Sequence, residues 1–384
     1  MHYRNNGVSC GKGLLFKFCC CYYYYFFIVS SFVSSVSVQS QNNIAAADQI
    51  SPLISTRRHF SLDTGELTSG HNRTDYVALN IPGLEPDTSC PKEAAIYVHG
   101  IWTGTGSFSA NLESEVGIFD RARMSLSVNN YSIPVIGFSW DSNTTITANG
   151  IGWSIAKKIA QDNGPKLAHF LFDYKSTCPD TEVRIIAHSL GAKAVLSALQ
   201  DLTSNQEWNS SGGGGGGGGG SSSSSSSNFK VESVHLMGAA VDDEQVSTDS
   251  SDTDDNDPGG KVYGQSIESR IVRFYNLFDT QDNALEEIYP YYEGGETALG
   301  LNGAEQGISL PRNYQDIDVT KEISLLNDAN GDKRCDLPNP FIPNYCTIVA
   351  IGDNHLGYVG FVSSTNGNLV DDGAMNIVVE DWKR

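Results

Sequence analysis

The chain has 384 residues with 25 Lys and Arg against 45 Asp and Glu, a formal net charge of −20. This excludes a nucleic-acid binder, because phosphate backbones are held by clustered bases. Hydrophobic residues at 39% and charged residues at 18% exclude a disordered chain and supply a core for one large domain or two ordinary ones.

The N-terminus comes first in chain order. Arg4, Lys12 and Lys17 precede an apolar stretch, Cys19-Cys-Cys-Tyr-Tyr-Tyr-Tyr-Phe-Phe-Ile-Val29, and a Ser/Val segment that ends at Ser40. A charged region, an apolar region and small residues in that order read as a signal peptide over 1–40, cleaved after Ser40. The alternative is an uncleaved anchor over 18–38, which would make the N-terminal segment the only membrane contact. Both predict a secreted or cell-surface body. Four sequons, at Asn72, Asn130, Asn143 and Asn209, are compatible with export.

An extension over 41–62 is expected to precede a single domain over 63–384. Within the domain, short apolar runs alternate with amphipathic stretches, the pattern of an α/β fold with a mostly parallel sheet. Predicted strands are Tyr76–Ile81, Ala94–Val98, Pro134–Phe138, Val183–Ala187, Ser233–Val241 and Arg270–Tyr275, with Thr347–Ile351 either a last strand or a lead into a loop. Thr147–Tyr174 reads as helical with a break at Asn163-Gly164-Pro165, and Ala194, Val195, Ala198, Leu199 and Leu202 form one helical face. Two insertions interrupt the pattern. A Gly/Ser tract within 210–228 offers no side chains for a core. The stretch 242–260 holds eight acids between Asp242 and Asp257 and is expected to be a solvated loop, since like charges at that density repel.

The most informative segment is Val183-Arg-Ile-Ile-Ala-His-Ser-Leu-Gly-Ala192, a β-rich run, a tight turn and a small-residue helix. In that context Ala187-His188-Ser189-Leu190-Gly191 reads as a nucleophile elbow, a sharp turn that projects a serine hydroxyl above the sheet. Ala187 and Gly191 meet its demand for small residues two before and two after the serine. Serine needs a histidine to take its proton, and the histidine needs a carboxylate to fix its tautomer. Chain order in such folds is Ser, acid, His. Of the two histidines that follow Ser189, His235 sits inside an apolar strand and reads as core, which leaves His355 in the Gly-bounded loop Gly352-Asp-Asn-His-Leu-Gly-Tyr358. The favoured acid is Asp282, which follows a strand and opens an apolar helix. Asp279, three residues earlier, and Asp242, at the end of the preceding strand, remain alternatives. Oxyanion donors are expected from the backbone N–H of Leu190 and, in the loop after Val98-His99-Gly100, from Ile101, with Trp102 as the alternative. His99 is expected to hold that loop rather than to move protons.

These motifs together, with Phe138-Ser-Trp-Asp141 and Asn276–Leu285, resemble the α/β-hydrolase superfamily. The likeness is to secreted lipases and esterases with an Ala-His-Ser-x-Gly elbow and to a poorly characterised branch of that superfamily. The resemblance covers Asp63 to Arg384. It implies the α/β-hydrolase fold, a mostly parallel central sheet with helices on both faces, and a Ser189, Asp282, His355 triad that hydrolyses esters through an acyl-enzyme. The expected partner is a small-molecule or lipid ester. A peptidase or amidase on the same triad, or a binding module without turnover, are the rival readings. The usual strand order of the fold also implies that Cys90 and Cys178 stand at adjacent strand starts and form a disulfide, with Cys335 and Cys346 as a second. No cofactor is required. Asp328, Asn330, Asp332 and Asp336 have a calcium-loop-like spacing but lack its usual glycine and terminal Glu, so a structural calcium competes with an ordinary acidic turn.

Overall fold

The computed structural model describes residues 51–101, 103, 115–145, 150–204, 229–252, 261–323, 354–362 and 368–384. The N-terminal segment, the Gly/Ser tract, Trp102, the Thr347–Ile351 run, the Cys335 and Cys346 pair, the four calcium candidates from Asp328 to Asp336, and residues 253–260 of the acidic stretch lie outside the described residues. Among the described residues no helix is long and apolar enough to cross a membrane.

The central sheet has eight strands: β1 (Leu53–Ser55), β2 (Val77–Leu79), β3 (Glu93–Val98), β4 (Val135–Ser139), β5 (Glu182–His188), β6 (Val231–Met237), β7 (Ile271–Phe278) and β8 (Tyr314–Asp318). Their order is β2-β1-β4-β3-β5-β6-β7-β8, and every neighbouring pair is parallel except the antiparallel β1–β2 pair at one edge. This is the mostly parallel sheet expected.

The sheet's centre is apolar on both faces because helices cover both. Along β3, Ala94, Ile96 and Val98 enter one core while Ala95 and Tyr97 enter the other, the period-two alternation of a strand buried on both sides. The first core is closed by α2 (Ile151–Asp162), α3 (Gly164–Thr177), α4 (Gly191–Ser204) and α5 (Gly264–Arg270). The second is closed by α1 (Glu115–Val128) and the final helix α6 (Met375–Trp382). The predicted break between α2 and α3 falls at Asn163, whose side chain stays inside: its amide donates to Ile159 O at 2.8 Å and its oxygen accepts the Thr56 hydroxyl at 2.6 Å.

Three expectations change. Residues 53–55 are a strand of the sheet, so the domain starts before residue 63. The predicted Ser233–Val241 strand ends at Met237, and Gly238, with φ +53°, turns the chain toward the site. The acidic stretch is not solvated at its start. Asp242, Glu244, Gln245 and Val246 are buried around a short 3-10 turn, Asp243–Val246. The Asp242 carboxylate is satisfied there by the Tyr289 hydroxyl and the Gln245 amide, each at 2.5 Å. Burial, with Asp242 and Asp243 nearby, pushes the Glu244 carboxyl up to about 8, so it is protonated at neutral pH.

The register Glu93↔Glu182 aligns the starts of β3 and β5. Just before them Cys90 and Cys178 are joined in a disulfide, Cα–Cα 5.5 Å, on the side of the sheet opposite the elbow.

Candidate active site

The parallel strands β3, β5, β6 and β7 all end on one side of the sheet, where an open α/β fold gathers a site. The chain leaves β5 at His188 and enters α4 at Gly191, leaving two residues for the turn. Ser189 takes φ +54°, a left-handed conformation that an L-residue accepts only under constraint. The constraint is visible in the backbone: Ser189 N–H donates to Met237 O at 2.9 Å, and Ser189 O accepts from Ala192 N at 3.1 Å and Ala240 N at 3.2 Å. Helix and strand approach closely, since a Cβ on Gly191 would stand 2.6 Å from Val98 O. A Cβ on Gly100 would stand 2.7 Å from the Cβ of Ser189. Only glycine at position 100 lets the β3 loop pass directly beside the serine.

His355 is carried by a tight turn that leads into a 3-10 turn, Gly357–Val359. Its Nδ1 meets Asp282 Oδ2 at 2.6 Å, and Asp282 is fully buried. The same carboxylate accepts from Leu285 N at 3.0 Å through Oδ1 and from the Tyr358 hydroxyl at 3.5 Å through Oδ2. Those bonds make Nδ1 the donor, so in the neutral ring Nε2 is the acceptor nitrogen. Met237–Ala240 is common to both partners: it holds the Ser189 backbone, and a Cβ on Gly238 would lie 3.2 Å from His355 Nδ1. His188 makes a second link, its Nε2 donating to His355 O at 2.6 Å with ring centroids 4.8 Å apart. The structure therefore joins Asp282 to His355 directly, and through His188 and the Met237–Ala240 segment it sets that pair beside the Ser189 turn. Asp279 does not meet the histidine: its Oδ1 accepts Gln281 N at 2.9 Å, and burial pushes its carboxyl up to about 6. Asp242 is committed to Tyr289 and Gln245 instead.

Asn354, which the sequence places beside His355 in the Gly-bounded loop without a role of its own, fastens the two loops. Its Oδ1 accepts Asn283 N at 3.2 Å, and its amide donates to Gln281 O. The sequence marks His188 as part of the elbow without giving its ring a role, and neither Tyr358 nor Arg57 carries a sequence signal for its contacts.

Leu190 follows the serine, and Ile101 follows Gly100 in the neighbouring loop. His99 is buried and anchors that loop: Nδ1 donates to Gly100 O at 2.8 Å and Nε2 accepts from Trp140 N at 3.2 Å, with Arg57 Nη2 at 3.3 Å. Arg57 also donates to Thr103 O at 2.6 Å. Burial and the nearby Arg57 push the His99 imidazole well below its usual range, and burial with the nearby His355 pushes His188 down to about 3. Both rings are neutral scaffolding at physiological pH. His235 is likewise pushed to about 3 by burial, stacked on Tyr275 inside β6 and β7, a core histidine. Trp140 is core, stacked on His99 at 5.4 Å. Trp153 joins Ala240, Leu285, Tyr289, Ala298 and Leu301 in an apolar cluster against which Ile101 packs.

The profile of a family described as "Alpha/beta hydrolase of unknown function (DUF900)" matches residues 88–287, a span that includes Ile101, Ser189 and Asp282 but not His355. No curated protein matches the chain. Among solved structures, Aspergillus fumigatus lipase B aligns at 11% identity and TM-score 0.30, covering 60% of this chain and 45% of the lipase, less than half its length. An acetyl xylan esterase aligns at 12% identity and TM-score 0.27, covering 60% of this chain and 84% of that one.

Proposed function

The chain belongs to the alpha/beta hydrolases of unknown function, and we propose that it is a serine hydrolase that cleaves carboxylic esters through an acyl-enzyme on Ser189. The observation that carries the proposal is the buried Asp282 carboxylate held on His355 Nδ1 at 2.6 Å, with the Met237–Ala240 segment touching that imidazole and the strained Ser189 turn alike.

In this reading His355 Nε2 takes the hydroxyl proton as Ser189 Oγ attacks the ester carbonyl. Asp282 fixes the tautomer and stabilises the imidazolium. The backbone N–H groups of Leu190 and Ile101 hold the oxyanion. His355 then protonates the departing alkoxide, and a water activated by the same ring releases the acid and restores Ser189. Ile101 packs against the Trp153, Leu285 and Tyr289 cluster, which favours an apolar acyl group. The acidic surface disfavours anionic substrates. The N-terminal segment and the Cys90–Cys178 disulfide support export to an oxidising compartment.

Turnover of a series of p-nitrophenyl esters, set beside a peptide library, tests this. Wild type should hydrolyse the esters preferentially, and Ser189→Ala should lose at least about 10³-fold in kcat. Turnover of peptides alone would replace the ester reading with an amidase. Equal turnover by Ser189→Ala would remove the serine mechanism.

A further inference from the structure

Away from the serine turn, the chain between β1 and β2 gathers three groups that the hydrolase reading does not use. His59 and His71 stack face to face, with centroids 3.7 Å apart and planes 20° from parallel. Both Nδ1 atoms look at one carboxylate: His71 Nδ1 lies 2.8 Å from Asp75 Oδ2, and His59 Nδ1 lies 3.5 Å from Asp75 Oδ1. The two nitrogens and the carboxylate all fall within 4.8 Å of one another. His59 is only 3% exposed, and its Nδ1 is a buried polar atom without a hydrogen-bond partner. A buried, unpartnered ring nitrogen of this kind demands an explanation.

From these contacts we propose that His59, His71 and Asp75 form a binding site for a divalent transition-metal cation of the zinc type. Two imidazole nitrogens and one carboxylate oxygen are a donor set that zinc accepts, with water in the fourth position. Bonds of about 2.0–2.2 Å to a tetrahedral ion put ligand atoms about 3.4 Å apart, so side-chain rotation of about an ångström closes the site. His71 is partly exposed, which gives the ion and its water an entry.

The surroundings are those of a built site. Asp141 pins the backbone on either side of His59, accepting Arg58 N at 2.8 Å and Phe60 N at 2.9 Å. Lys166, whose side chain is fully buried, donates to Asp75 Oδ1 at 2.5 Å and to the carbonyls of Asn72 at 2.5 Å and Asp75 at 3.1 Å. Lys166 therefore orients the carboxylate through one oxygen and leaves the other for the cation, the place an outer partner takes around a metal. Its positive charge also repels the ion, with the carboxylate between them as the screen. Burial, the nearby Lys166 and His71 push His59 below its usual value, while Asp141 and Asp75 act the other way. Although burial raises Asp75, hydrogen bonds from Lys166 and His71 hold it down to about 2. Arg57, two residues before His59, bonds to His99 and Thr103 on either side of Ile101.

Zinc uptake by the full-length protein tests the site. The protein is stripped with chelator, given one equivalent of zinc sulfate and desalted, and bound zinc is counted by plasma mass spectrometry beside a thermal melt. Wild type should retain one zinc per chain and melt higher with it. His71→Ala, a substitution at the most exposed of the three, and Asp75→Asn should each bind at least about tenfold more weakly while keeping the wild-type circular dichroism. If Asp75→Asn unfolds because Lys166 loses its partner, His71→Ala alone decides. Wild type without zinc, or His71→Ala that holds zinc as tightly as wild type, would overturn the proposal and leave a histidine–carboxylate ion pair. A loss of zinc with ester turnover intact would leave the serine proposal untouched.

Discussion

Two carboxylates three residues apart compete for one histidine, and burial does not separate them, because both are inside. Partners do. Asp282 receives Leu285 N on one oxygen and His355 Nδ1 on the other, whereas Asp279 closes its own turn on Gln281 N. Burial pushes the Asp279 carboxyl up to about 6. In the proposed mechanism Asp282→Asn should lower kcat by about 10⁴ at neutral pH, since an amide offers the ring the wrong tautomer. Asp279→Asn should stay within about tenfold. Steady-state ester kinetics on the two variants decide between them, and a larger loss in Asp279→Asn would reverse the assignment. The order of residues favoured Asp282 but could not exclude Asp279, because a hydrogen bond to a residue 73 positions away leaves no local trace.

At the scale of elements, the elbow was readable because everything it needs is local. A β-branched run, a small residue on each side of the serine and an apolar helical face lie within twenty residues. The elements that escaped are those whose stability comes from elsewhere. The three residues of β1 are a strand only because Leu53–Ser55 pairs with β4 on one side and β2 on the other. The edge strand β8, Tyr-Gln-Asp-Ile-Asp, shows no apolar alternation, as it is half exposed and secured by pairing to β7. The start of the acidic stretch looked solvated because its partners, Tyr289 and the Ala298 backbone, are about fifty residues downstream. The loop-to-loop contact through Asn354 belongs to this scale as well. Asn354→Ala should loosen the His355 turn from the acid turn and cost about 10²-fold in kcat, with KM close to wild type. A rise in KM at constant kcat would show that Asn354 shapes substrate binding instead.

For the whole molecule, the charge of −20 overstates the anionic surface. Glu244 is buried and protonated at neutral pH, and Asp75 and Asp141 are spent on internal bonds. Within the sheet, the two ends of the central strands divide the work. The disulfide ties the starts of β3 and β5, and the ends of the same two strands carry Gly100 and Ser189. The β3–β5 pairing fixes the register between them, and at its far end a Cβ on Gly100 would come within 2.7 Å of the Ser189 Cβ. The family match ends at residue 287, so the proposed base lies on chain beyond it and is joined to the matched region by the contacts at Asp282, Gln281 and His188.

The central claim, that Ser189 is a nucleophile activated by His355, is tested most directly by treating the folded protein with a fluorophosphonate probe and mapping the adduct by mass spectrometry. The account predicts one adduct, on Ser189, abolished in Ser189→Ala and slowed strongly in His355→Gln. No adduct on correctly folded wild type, or an adduct at another residue that survives Ser189→Ala, would contradict it.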